Sequence, residues 1–212
     1  MNNINVFSQK LAEFPIIAIL RGVKPGEIKD VCSVLDNGGF TLAEVPLNSP
    51  DALESIRVMS AQFNQGGRLM IGAGTVLSEE DAVNAAEAGA RYIISPDSNP
   101  LVIRKTKELG LVSIPGFMTP TEGFSAIRAG ADYLKCFPCG KLGSGHIKDL
   151  KAVIKKPIFA VGGVSASNLA EFLSIADGVG IGSELYKPGK SIAEIKAAVQ
   201  AFVTSFATCK KR

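Results

Sequence analysis

The stretch SEEDAVNAAEAGARYIIS, Ser78 to Ser95, holds a complete helix-to-strand unit. Ser78 is a good N-cap, and Asp81 three residues later partly imitates a capping box. Gly89 suits the left-handed position that ends a helix. RYIIS, Arg91 to Ser95, is then a short β-rich run. The design returns further along. TPTEGFSAIRAGA opens on Thr119, sets Pro120 at the first helical position, closes on Gly130 and runs into DYLKCF. The phrase AGA, then a charged residue, then a strand occurs at Ala88–Arg91 and again at Ala129–Asp132.

The same alternation extends over the chain at a period of roughly 25 residues, the range in which a repeated architecture is sought. Eight apolar runs carry it: Phe14–Leu20, Phe40–Val45, Arg68–Ala73, Arg91–Ser95, Leu111–Ile114, Asp132–Phe137, Pro157–Val161 and Gly178–Gly182. Most are continuously apolar, as strands covered on both faces should be. A further helix is expected to open at Ser165, in SASNLAEFLSIAD. Eight strand-helix units with no Gly/Ser-rich linker and no break in composition predict one α/β domain over residues 1–212, a closed (β/α)8 TIM barrel. An open doubly wound sheet is the alternative. It lacks support, because no Gly-x-Gly-x-x-Gly follows the first strand and Gly162-Gly163 comes far too late for one.

Composition excludes several classes. Apolar residues are 46% and charged residues 20% of the 212, with a net charge of +3. Basic residues are scattered apart from Lys155-Lys156 and the CKKR tail, which reads as a solvated end rather than a nucleic-acid arm. No apolar run reaches the roughly 18 residues of a membrane span, and the first residues lack a signal-peptide pattern. The cysteines, Cys32, Cys136, Cys139 and Cys209, are irregularly spaced. CFPC has the gap of a redox or metal motif, but no second pair follows and His146 is the only histidine, so no metal is expected. Free thiols suggest a cytoplasmic protein.

In a barrel of this kind chemistry gathers at the C-terminal strand ends. Three of them carry a charge among apolar neighbours: Arg21, Glu44 and Lys135. A lysine is almost never buried without a partner, and a buried amine tends to lose its proton. A neutral lysine can add to a ketone and form a Schiff base, whose protonated imine draws electrons from adjacent carbons. Glu44, placed at a neighbouring mouth, would shuttle protons, and the planar fork of Arg21 would hold a carboxylate. Gly162-Gly163 and Gly182-Ser183 end the last two runs, each expected to open a helix, and their N–H groups suit a phosphate. A non-catalytic phosphosugar-binding barrel would use the same glycines. A decarboxylase or epimerase would pair an aspartate with a lysine on one strand, but Asp132 and Lys135 are oddly spaced and so face opposite ways.

Taken together, IAILRG, EVPLNSP, IGAGTVL, PGFMTPTE, LKCFP, FAVGGV and GIGSELY resemble the aldolases of 2-keto-3-deoxy-6-phosphosugar acids, from Pro15 to Tyr186. The resemblance implies a class I aldolase that needs no metal or other cofactor. It implies a homotrimer that cleaves a phosphorylated keto-deoxy sugar acid to pyruvate and glyceraldehyde 3-phosphate. Carried over by motif, the Schiff-base lysine is Lys135 and the proton shuttle Glu44. Arg21 and Thr75 hold the pyruvate part, Pro96 and Pro115 shape the wall, and Gly162, Gly163, Gly182 and Ser183 bind phosphate. EVPLNSP resembles the 2-dehydro-3-deoxy-6-phosphogalactonate enzymes. The phosphogluconate enzymes, the alternative, tend to carry an arginine-threonine pair where Asn48 and Ser49 stand. Val161 offers no hydrogen bond to the C4 region, where a threonine would. Cys139 and Lys141 depart from the expected pattern, and Gly143–Gly145 reads either as added phosphate contacts or as a loop.

Overall fold

The computed structural model describes residues 2–63 and 67–209; the basic end of the tail, 210–212, lies outside them. The chain opens with a helix that the sequence reading missed, α1 (Asn3–Glu13). Then come β1 (Ile16–Ile19), α2 (Ile28–Asn37), β2 (Leu42–Pro46), α3 (Ala52–Phe63), β3 (Met70–Gly74), α4 (Glu79–Glu87), β4 (Tyr92–Ile94) and α5 (Pro100–Glu108). The second half adds β5 (Val112–Ile114), β6 (Gly116–Phe117), α6 (Pro120–Ala129), β7 (Leu134–Cys136), α7 (Gly143–Val153), β8 (Ile158–Val161), α8 (Leu169–Leu173), β9 (Gly178–Ile181) and α9 (Ile192–Cys209). All strand pairs are parallel, in the order β5-β4-β3-β2-β1-β9-β8-β7-β6.

The eight expected strands are all present, and the fifth is broken in two. Pro115 has no N–H for the ladder, so β5 pairs with β4 and β6 pairs with β7. The ring still closes across the break: Tyr133 N–H donates to Ser113 O at 3.2 Å and Lys135 N–H to Pro115 O at 2.8 Å. This is the (β/α)8 barrel that the repeats predict.

Both faces of the strands are apolar, for two reasons. Outward residues such as Ala43, Val45, Ile71, Ala73, Ile93, Leu134, Ile158 and Val179 pack under the helices. Inward residues Ile17, Leu42, Met70, Tyr92, Val112, Tyr133 and Phe159 fill the interior. Helix α1 seals the N-terminal end of the barrel. Its Phe7 is fully buried and meets the rings of Tyr92 and Tyr133 at 5.2 and 4.9 Å. The first contact is edge-to-face and the second tilted, and such ring pairs add to the burial of the rings.

The caps read from sequence are present. Ser78 and Asp81 form a full capping box, as do Thr119 and Glu122, and Gly89 and Gly130 are left-handed. Two helix readings need correction. Residues from Ser165 do not start a helix: the Asn168 side chain accepts the Ser165 N–H at 2.8 Å, a local bond that competes with helix, and α8 is confined to Leu169–Leu173. Nor does Gly182-Ser183 open a helix directly. Leu185 and Tyr186 N–H close a single turn on Gly182 O, and α9 begins at Ile192. Gly143 and Gly145 lie in the first turn of α7, which excludes the loop reading.

Candidate functional site

At the C-terminal ends of the strands lies a cavity of about 200 Å³. Strand register explains what faces it. Ile19 is level with Glu44, and Glu44 with Gly72. Lys135 is level with Phe159, and Val161 with Gly180. With a period of two, each of these side chains points inward. The walls are formed by Ile19, Arg21, Glu44, Lys135, Phe137 and Val161, and the rim by the glycines of the last two strand ends, Ser183 and Glu184.

Glu44 and Lys135 are both buried, at 2% and 7% exposure. They are not at neighbouring strand ends, as the sequence reading has it. In the ring, β1, β9 and β8 separate their strands on one side and β3, β4 and the broken strand on the other, so the two groups face one another across the barrel. Among the described residues no ion pair joins them, and the cavity lies between. Burial lowers the Lys135 amine below the usual lysine range; the Glu44 charge pulls it up and Arg21 pushes it further down. Burial likewise lifts the Glu44 carboxyl from 4.5 to about 7, against the pull of Lys135 and Arg21. An amine held below the usual lysine range and a carboxyl group able to give or take a proton near neutrality thus line one cavity.

Other groups hold these in place. Lys135 Nζ lies 4.8 Å from the centroid of the Phe137 ring. Arg21 Nη1 donates to Asn48 Oδ1 at 2.6 Å, and Gly22 N–H to Ser49 Oγ at 2.9 Å, so the Asn48-Ser49 pair ties the end of β1 to the loop after β2. At Gly74 a Cβ would stand 1.8 Å from Glu44 Oε2, so only glycine leaves room for that carboxyl group. Gly162 and Gly163 are left-handed, at φ 92° and 78°, and Gly140 N–H and the Cys139 thiol both donate to Gly162 O. Cys139, unexpected from sequence, is therefore a buried thiol that braces the glycine turn. Among the described residues no protein acceptor takes the N–H groups of Gly163, Val164 or Ser183.

Eight of the residues expected at the site line this cavity: Arg21, Glu44, Lys135, Val161, Gly162, Gly163, Gly182 and Ser183. Thr75, Pro96 and Pro115 do not; they end the strands of the opposite half-ring. Thr75 is left-handed at φ 55°, a strained state for a β-branched residue. The Pro96 carbonyl crowds Gly116, and Pro115 O anchors the backbone of Lys135. Asp132 points out of the barrel, where it accepts Ser113 N–H at 2.8 Å and Lys107 Nζ at 2.6 Å, as the odd spacing predicts. The sequence reading missed Gly74, Phe137, Gly180 and Glu184. Period-two spacing from Gly72, Lys135 and Gly182 points to the first three. Nothing in the sequence singles out Glu184.

Glu44 has a consequence for stability. The folded chain keeps this proton up to about 7, whereas an ordinary carboxyl releases it near 4.5. Stability is therefore lost as pH rises between those values, by up to about 3 kcal/mol. Glu44→Gln removes the loss. In denaturant titrations it is expected to equal the wild type near pH 4 and to exceed it above pH 7.

The family model for KDPG and KHG aldolase matches residues 7–200. A probable 2-dehydro-3-deoxy-6-phosphogalactonate aldolase of Rhizobium meliloti is 42% identical over 197 residues, 92% of each chain. The 2-dehydro-3-deoxy-6-phosphogalactonate aldolase of Escherichia coli is 41% identical over 198 residues, 92% of this chain and 95% of its own. A solved structure described as native KDPGal superposes with a TM-score of 0.91 at 37% identity, covering 94% of this chain and 98% of the other. A barrel with a buried lysine facing a buried glutamate, matched over nearly its whole length, belongs to the KDPG and KHG aldolase family.

Proposed function

We propose that this protein cleaves 2-dehydro-3-deoxy-6-phosphogalactonate to pyruvate and glyceraldehyde 3-phosphate through a Schiff base on Lys135. The observation that carries the reading is the desolvated Lys135 amine facing the Glu44 carboxyl across an enclosed cavity. The neutral Nζ attacks the C2 keto carbon, and loss of water gives the protonated imine. Base removal of the C4 hydroxyl proton breaks the C3–C4 bond. Its electron pair moves into the imine as an enamine, and the aldehyde leaves. Glu44, near its midpoint at neutral pH, takes the hydroxyl proton and returns one to C3. Water then hydrolyses the pyruvate imine and frees the amine. Arg21, aimed by Asn48, pairs with the substrate carboxylate. The N–H groups of Gly163, Val164 and Ser183, which have no acceptor among the described residues, meet the phosphate.

The family resemblance also implies three copies per assembly. Among the described residues no helix is long and apolar enough to cross a membrane. The direct test is incubation with pyruvate and borohydride, which should add a stable mass to Lys135; an adduct on Lys24 or Lys141 would overturn the assignment.

Two features support the galactonate epimer over the gluconate one. Asn48 and Ser49 are engaged in holding Arg21 and Gly22. Val161 presents only methyl groups to the cavity. A hydroxyl at that position gives the other C4 configuration a partner. Val161→Thr is expected to shift the ratio of kcat/KM for the two epimers toward the gluconate substrate by about tenfold or more. Parallel assays with both substrates measure it.

A further inference from the structure

Tyr92 is fully buried in the barrel interior, and among the described residues its hydroxyl has no hydrogen-bond partner. Leaving such a group unpaired costs about 1–3 kcal/mol, and phenylalanine at this site would avoid that cost. Glu44 Oε2, also buried, is likewise without a partner among the described residues. The two orphans lie in one row. Glu44 is level with Gly72, and Gly72 with Tyr92, on the adjacent strands β2, β3 and β4. Gly72 has no side chain to separate them. The Tyr92 ring leans into the vacant place: a Cβ on Gly72 would stand 2.3–2.5 Å from its Cε2, Cδ2 and Cζ. Gly74, the next inward position, clears the space that holds the Glu44 carboxyl.

We propose that Tyr92 is a positioning residue for Glu44, its hydroxyl donating through one buried water to Oε2 and so fixing which carboxyl oxygen meets the substrate. The significance for catalysis rests on the aldolase reading above. A single water suits a polar gap too wide for a direct bond. Burial, and then the Glu44 charge, raise the Tyr92 phenol well above its usual range, so it remains a donor at every working pH. The other charged groups around Glu44 are Lys135 on β7 and Arg21 beyond β1; Ile19 and Gly180, on β1 and β9, carry none.

The test is Tyr92→Phe. Its expected effect is a rise of about one pH unit in the Glu44 midpoint, since the ionised form loses a donor. Infrared pH titration reads that midpoint, with the band assigned by its absence in Glu44→Gln. The pH profile of deuterium exchange into pyruvate should move with it. An unchanged midpoint in folded Tyr92→Phe overturns the proposal. If that variant does not fold, fluorotyrosine at position 92 keeps the shape and strengthens the donor. The midpoint should then fall, and an unmoved one overturns the proposal equally. A wild type that exchanges no deuterium refutes the aldolase reading instead, while the infrared titration still decides whether Tyr92 reaches Glu44.

Discussion

Lys135→Ala is expected to leave a folded barrel with no measurable cleavage, a loss on the order of 10⁴-fold or more. In the proposed mechanism the reaction runs through a covalent bond to this nitrogen, and among the described residues no other lysine lines the cavity. The fold should survive because a desolvated amine contributes little to it. Lys135 is buried without an ion-pair partner among the described residues, and the backbone N–H that ties β7 to Pro115 is untouched by the substitution. Two readouts separate chemistry from stability. Pyruvate with borohydride should add no mass, and the unfolding midpoint should stay within a few degrees of the wild type. Glu44 would also lose the charge that pulls its carboxyl down, so its midpoint should climb above about 7. A variant that still cleaves substrate at an appreciable rate would place the reactive nitrogen elsewhere.

Gly74→Ala is the second large effect expected, and it comes from a residue that takes no part in the chemistry. The added methyl group would stand 1.8 Å from Glu44 Oε2 and 2.4 Å from its Cδ. Gly74 is not left-handed, so the backbone accepts alanine without strain and the conflict is purely steric. The carboxyl group must move by about an ångström, a displacement that can cost on the order of 100-fold in rate. Overpacking should also lower stability by about 1–3 kcal/mol. The informative pattern is a drop in kcat with the pyruvate adduct on Lys135 still forming. Wild-type kcat in Gly74→Ala would remove Glu44 from the mechanism.

The fold was legible because each strand-helix unit carries its own local signals. Ser78, Thr119, Gly89 and Gly130 mark helix ends by backbone chemistry that needs no tertiary partner. The readings that failed depend on something non-local. Helix α1 is held by sealing the barrel with Phe7, a contact to rings on β4 and β8 and to Tyr133 just before β7. The segment after Gly163 lost its first turn to one Asn168 side chain. Arg21, Glu44 and Lys135 stood out as charges within apolar runs. Their opposition across the barrel follows from ring closure, which no stretch of sequence displays. Thr75, Pro96 and Pro115 were carried over by motif, and they end the strands on the other side of the mouth.

Two strands of this barrel turn hydrogen atoms toward its axis at two successive inward positions: Gly72 and Gly74 on β3, Gly178 and Gly180 on β9. A side chain at any of the four would collide with Tyr92, Glu44, Phe159 or Val161 respectively. The reaction chamber is thus carved out by omission, and mutation at these positions can narrow it but never widen it. Drift toward a bulkier substrate is closed to these four positions and left to the side chains of the other staves and to the segments above the rim.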